Sequence, residues 1–135
     1  MAKHSIRIRV YYEDTDAGGV MYHARYLAFA ERARTEALRS CQASVLDLAQ
    51  DYNMCFVVAN ANISYKRPLK LDDEVTVTTI LQEIQGATTV LLQLFTVGAL
   101  LYASMEVKLA CLSTQTMRPV RMPEKWKVAL LAISP

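Results

Sequence analysis

Between Ile6 and Leu112 the spacing of apolar side chains changes period twice. Ile6, Ile8, Val10 and Tyr12 alternate with Arg7, Arg9 and Tyr11, which predicts a short strand with one apolar face. From about His23 to Cys41 there is neither glycine nor proline. Tyr26, Phe29, Ala30, Ala33 and Ala37 share one helical face, and Arg25, Arg32, Glu36 and Arg39 share the opposite one. This is an amphipathic helix whose inner face is small in volume, so that a sheet can lie close against it. Ser44 to Tyr52 reads as a short helix, with Ser44 and Asp47 suited to its start. The period then becomes two. Val57, Ala59, Ala61, Ile63 and Tyr65 alternate with Val58, Asn60, Asn62 and Ser64, and KRPLKLDDE from Lys66 to Glu74 forms a loop. Strands follow over Val75–Ile84, Thr88–Val97 and Tyr102–Leu112, and the short breaks at Gly86 and Gly98 predict antiparallel hairpins. Thr88–Val97 is apolar on both faces, Val90, Leu92 and Leu94 against Leu91, Phe95 and Val97. It is either a central strand under a loop or part of a subunit interface. The order is strand, long helix, four antiparallel strands: an α+β fold with one helix against one sheet, residues 1–135 forming a single domain.

Composition narrows the setting. A chain of 135 residues with 53% hydrophobic side chains can bury roughly two-thirds of its unfolded surface. The net charge of +2, from 15 basic and 13 acidic side chains, is too balanced for a nucleic-acid binder on charge alone. Cys41, Cys55 and Cys111 show no CxxC spacing, which argues for reduced thiols and a cytoplasmic setting. MAKHSIRIRV at the N-terminus lacks the apolar run of a signal peptide. No segment approaches the ~18 consecutive apolar residues of a membrane span, although contact with the inner membrane surface stays open.

The stretch from Tyr11 to Tyr26, YYEDTDAGGVMYHARY, places three acids, two glycines and a helix start together. Tandem glycines permit backbone angles closed to other residues, and a helix start offers unpaired N–H groups with partial positive charge. The pattern fits either a reactive site or a plain turn with a helix cap. Competing chemistries are absent. Counted from Asp14, an EF-hand loop would want an acid at Arg25 and a polar ligand at Gly18. There is no GxSxG elbow, phosphate loop, dinucleotide fingerprint or HExxH. His4 and His23 stand far apart in sequence with no paired cysteines, which argues against zinc. No metal or other cofactor is called for.

The segment YYEDTDAGGVMYHARYLAFAERARTE, continued by Tyr65, Pro68, LDDE at Leu71–Glu74 and the MRPVRMPE tail, closely resembles the hot-dog-fold acyl-CoA thioesterases of the 4-hydroxybenzoyl-CoA thioesterase-like group. Within that group it is most similar to the type associated with the Tol-Pal cell-envelope system. The resemblance covers nearly the whole chain. Met21 stands where valine is usual, Leu69 where alanine is common and Ser113 where an aspartate is expected.

The resemblance implies a five-stranded antiparallel sheet wrapped around one long central helix, and hydrolysis of acyl-CoA to free acid and CoA. Short aliphatic or acyl-carrier-protein-linked acyl groups are its implied substrates, and acyl carrier protein is an admitted partner. It also implies a homodimer with a joint ten-stranded sheet, or a dimer of dimers, with the active site where two chains meet. Asp16 matches the catalytic aspartate, as nucleophile or general base, and backbone N–H groups at the helix start, including that of His23, would hold the carbonyl oxygen. A thioester needs little more, because thiolate leaves without acid assistance. Gly18 and Gly19 would give the thioester room. The His23 ring would polarise a water, position the thioester or pair with an acid. Tyr22 would line the pocket while Tyr26 packs in the core, and Asp14 and Glu13 would shape the loop. Met21, Met54, Phe56 and Val58 would set pocket depth. Glu31, Arg34 and Glu36 are spaced for ion pairs along the helix. Lys66, Arg67 and Lys70, with Arg118 and Arg121, would meet the phosphates of CoA or simply be solvated. Cys41 and Cys55 read as packing. Two rival functions stay open: a hot-dog dehydratase or hydratase using a histidine and an acid, and a non-catalytic acyl-binding partner of the cell-envelope or phospholipid-synthesis machinery.

Overall fold

The small face of the long helix sets the architecture. In the computed structural model, which describes residues 3–135, helix α1 (His23–Arg39) buries Tyr26, Phe29, Ala30, Ala33, Ala37 and Leu38. Three alanines among these let the sheet approach the helix backbone. Five strands form that sheet: β1 (His4–Arg9), β2 (Met54–Tyr65), β3 (Glu74–Gln85), β4 (Thr88–Val97) and β5 (Leu100–Ser113). All pairs are antiparallel, in the order β1-β3-β4-β5-β2. This is the arrangement that the hot-dog resemblance implies. Helix α2 (Val45–Tyr52) starts as its sequence predicts, with Ser44 Oγ accepting the Asp47 N–H at 3.0 Å. It stops at Asn53, whose φ of +54° lies in the left-handed region that asparagine tolerates.

One polar side chain ties helix to sheet. On the inner face of β4, between Leu91 and Phe95, Gln93 is fully buried. Its Nε2 donates to the Ala30 carbonyl at 2.9 Å and to Thr79 Oγ1 at 3.0 Å, and its Oε1 accepts from Arg34 at 3.4 Å. The amide is thereby satisfied, and α1 cannot slide along the sheet without breaking it.

Several sequence expectations change here. Tyr12 does not continue β1; that strand ends at Arg9, and Tyr12 lies 83% exposed in a 3-10 turn, Tyr12–Asp14. The alternation expected for β2 reverses phase, because the pairing with β5 slips between Val58 and Asn60 and leaves Ala59 as an extra residue. Before the slip Phe56 and Val58 stand opposite Cys111 and Leu109, and after it Ala61 and Ile63 stand opposite Val107 and Met105. Those four β5 residues are buried, so both sets point inward. Val57 and Ala59 do not belong to one continuous apolar face. On β4 the outer residues Val90, Leu92 and Leu94 are half-buried. A third helix, α3 (Glu124–Leu131), starts at the end of the MRPVRMPE segment, beyond the elements that the sequence predicts. It buries Trp126, Ala129 and Leu130, its Trp126 Nε1 donates to the Ser44 carbonyl at 3.2 Å, and beyond its end the Ile133 carbonyl accepts from Leu81 N–H at 2.9 Å. No helix among the described residues is long and apolar enough to cross a membrane.

Candidate active site

Residues 15–21 fold as a tight hairpin in front of α1. Thr15 pairs with Met21 and Val20 pairs with Lys70, so the hairpin is also stitched to the loop before β3. The turn itself runs Asp16-Ala17-Gly18-Gly19. Asp16 N–H donates to the Val20 carbonyl at 2.9 Å, Gly19 N–H to the Asp16 carbonyl at 3.0 Å, and Gly18 N–H to Asp16 Oδ1 at 2.8 Å. Each glycine has its own reason. Gly19 has a φ of +81°, closed to most side chains, and a Cβ at Gly18 would stand 3.2 Å from Asp16 Oδ1. Nothing lies within 4 Å of where a Gly19 Cβ would be, so that side of the turn is open to an incoming group.

Asp14 fastens the hairpin to the helix. Its carboxylate is 4% exposed, accepts from Tyr11 N–H at 2.8 Å and from Arg25 Nε at 2.9 Å, and its carbonyl accepts from Tyr22 N–H at 2.8 Å. The expectation that Asp14 shapes the loop is thus met. Arg25, expected on the solvent face of α1, serves as its partner instead.

The start of α1 carries no side-chain cap. Tyr22 is the N-cap residue in extended conformation and offers no hydrogen bond, while Arg25 N–H turns back to the Tyr22 carbonyl. Among the described residues the N–H groups of His23 and Ala24 have no acceptor. Such a helix start attracts an oxygen bearing negative charge.

Beside it opens a cavity of about 340 Å³. It is lined by Val20, Met21, His23, Tyr26, Tyr65, Lys66, Arg67 and Pro68, of which Tyr26 is buried and Tyr65 half exposed. The two tyrosine rings meet edge to face at 5.0 Å. Tyr26 is both the core residue expected and a pocket residue, and burial raises its phenol above the usual value, the hydrogen bond with the Leu69 backbone working against that shift. Of the residues singled out from sequence, Met21, His23, Lys66 and Arg67 meet here. Asp16 is exposed and outside the cavity wall, across the hairpin from Val20, and its Oδ2 has no partner among the described residues. Tyr22 is exposed, with its ring 4.5 Å from that of His23. The His23 ring pairs with no acid among the described residues.

Other expected members lie elsewhere in the chain. Phe56 lines a second cavity further along α1, and Val58, though inward on β2, is 48% exposed. Arg118 and Arg121 are far from Lys66. The Lys66 N–H bonds to Tyr102 near the start of β5, whereas the Arg118 carbonyl bonds to Ser113 at its end, roughly 35 Å along the strand. Arg121 instead lies over Gly86. Glu36 pairs with Arg39, while Glu31 takes a hydrogen bond from Thr35 at 2.7 Å and Arg34 pairs with no carboxylate among the described residues. The cysteines are free, and burial pushes the Cys111 thiol up to about 11, the opposite of what a nucleophile needs.

Residues 10–130 match the thioesterase-like superfamily. An acyl-CoA thioesterase YbgC of Haemophilus influenzae is 45% identical over 125 residues, which cover 93% of this chain and 92% of that protein. An acyl-CoA thioester hydrolase YbgC of Escherichia coli O6:H1 is 40% identical over 118 residues, 87% of each. Among solved structures, a probable thioesterase from Bartonella henselae superposes with a TM-score of 0.86 at 35% identity, over 90% of this chain and 100% of that one.

The Asp14 tie generates a direct prediction. Asp14→Ala leaves the Tyr11 N–H and the Arg25 guanidinium without their acceptor, and is expected to lower unfolding free energy by about 1–3 kcal/mol in urea titration. A loss below about 0.5 kcal/mol, the range of ordinary surface changes, would show that the hairpin is held by something else.

Proposed function

The chain belongs to the thioesterase-like superfamily, and on that premise we propose that it is an acyl-CoA thioesterase working at the junction of the Asp16 hairpin and the start of α1. What supports this reading is one hairpin–helix segment that holds both a carboxylate oxygen of Asp16 without a partner among the described residues and, seven residues on, a helix start with no side-chain cap. The thioester carbonyl oxygen accepts from the His23 and Ala24 N–H groups, which stabilise the negative charge it gains in the transition state. Asp16 attacks the carbonyl carbon, giving an anhydride that water then opens, or removes a proton from the attacking water. In both routes the C–S bond breaks, CoA leaves as thiolate and takes a proton from solvent, and the acid is released. The His23 ring, on the cavity wall, orients the thioester. Lys66 and Arg67, which also line the cavity, meet the phosphates of CoA. A hydratase reading draws no support, since it would pair a histidine with an acid.

The exposure of Asp16 in a single chain speaks for a second chain that covers it, because a water-bathed carboxylate is a poor catalyst. So does β2, a 12-residue edge strand with Val58 and Tyr65 about half exposed. A homodimer joined along β2, or a dimer of such dimers, completes the site. Acyl groups delivered on CoA or on acyl carrier protein, in the cytoplasm or at the inner membrane surface, fit the same scheme.

The test is free-thiol release from a panel of acyl-CoA and acyl-carrier-protein thioesters. The expected result is turnover that falls about 10²–10⁴-fold in Asp16→Asn, with a KM for CoA substrates that rises with salt and loses this dependence when Lys66 and Arg67 are changed to Ala. Near-normal turnover in Asp16→Asn removes the assignment. Light scattering should return a mass of two or four chains, and an active single chain would contradict the shared site.

A further inference from the structure

A second cavity, separate from the His23 pocket, lies between α1, α2, α3 and the sheet. Its volume is about 190 Å³, somewhat more than the roughly 150 Å³ of an apolar cavity known to take benzene. It is too small for a nucleotide. Leu38, Leu91, Leu109 and Leu130 form its depth, and Val45 on α2 stands at its edge. Arg34 is the cation in this wall. Its guanidinium carries five N–H donors, yet its side-chain hydrogen bonding amounts to one long contact, 3.4 Å to Gln93 Oε1, and it pairs with no carboxylate among the described residues. Desolvation lowers its affinity for a proton while the nearby Glu31 carboxylate opposes that shift. Glu31 stays on the exposed rim, with Oε2 occupied by the Thr35 hydroxyl at 2.7 Å. An apolar chamber with one under-used planar donor set at its wall is built for an apolar group that ends in a planar acceptor.

We propose that this cavity is a second ligand site, taking a small carboxylic acid of about six to eight carbons whose carboxylate lies on Arg34 and whose hydrocarbon or aromatic part fills the leucine-lined depth. Within one chain the cavity is separate from the His23 pocket, with which it shares no lining residue. Arg34 lies 11 residues beyond His23 on α1, about 16 Å along the axis at the usual rise. Acids of this class are also what thioester hydrolysis releases, so the reading above supplies a source for the ligand, but the cavity and the unpaired guanidinium stand without it.

Binding is therefore read apart from turnover, by methyl NMR of the whole protein titrated with hexanoate and, separately, with hexan-1-ol. Hexanoate should shift the methyls of Leu91, Leu109 and Leu130 saturably and leave that of Met21 in place. Hexan-1-ol should bind about ten-fold more weakly or worse, as should hexanoate to Arg34→Gln, each having lost a charge-assisted contact. Val45→Trp, a change at the partly exposed edge, should abolish the shifts by closing the entrance. If Arg34→Gln fails to fold, the alcohol comparison and Val45→Trp carry the test. The proposal is overturned if hexanoate leaves the three leucines unmoved in the wild-type protein, as it would were a second chain to fill the cavity, or moves only Met21. It is equally overturned if the acid and the alcohol bind alike. None of these outcomes depends on whether Asp16→Asn releases thiol.

Discussion

The buried carboxylate of Asp14 is the interaction on which the candidate site depends. It receives a backbone N–H from Tyr11 and the Arg25 side chain, and its own carbonyl receives Tyr22 N–H. The segment leaving β1, the hairpin and the first turn of α1 are thus held by one residue. That junction places the Asp16 hairpin relative to the His23 and Ala24 N–H groups, which have no acceptor among the described residues. A helix start without a cap costs some stability, since capping side chains are commonly worth about 1 kcal/mol. The absence of such a cap leaves its donors open to a substrate oxygen.

The opposite constraint acts in the middle of the helix. Gln93 joins the Ala30 carbonyl to the sheet, and the alanine face around Ala30, Ala33 and Ala37 allows the close approach this bond requires. A leucine at position 93 would pack as well but would let α1 shift along its axis. The hairpin fixes one end of the helix and the amide fixes its centre, so the direction in which the helix start points is determined twice. Arg34, which also reaches Gln93, connects this anchor to the second cavity.

What could be read from the sequence follows from how local each signal is. The helix face of α1, the Ser44 cap and the hairpins between β3, β4 and β5 rest on neighbouring residues, and the structure has them where the periods put them. The extra residue at Ala59 leaves no mark in composition, because apolar side chains continue on both sides of it; only pairing with β5 reveals the change of phase. Tyr12 matched the alternation of β1, but the Asp14 tie draws the chain into a 3-10 turn first. The period of α3 is present in Trp126, Ala129 and Leu130, but a run of eight residues after Pro123 is too short to predict a helix without its partners. Gln93 offered no signal of its role, since one amide among leucines gains meaning only when Ala30 and Thr79 meet it. Charge alone likewise could not separate Lys66 and Arg67, which share a cavity with His23, from Arg118 and Arg121, which lie at the other end of β5.

The most direct measurement is a crystal structure of Asp16→Asn bound to an intact acyl-CoA. The account predicts the thioester carbonyl oxygen at about 3 Å from the His23 or Ala24 N–H, with the changed side chain at position 16 beside the carbonyl carbon. A thioester bound with its carbonyl oxygen away from the start of α1 would contradict it.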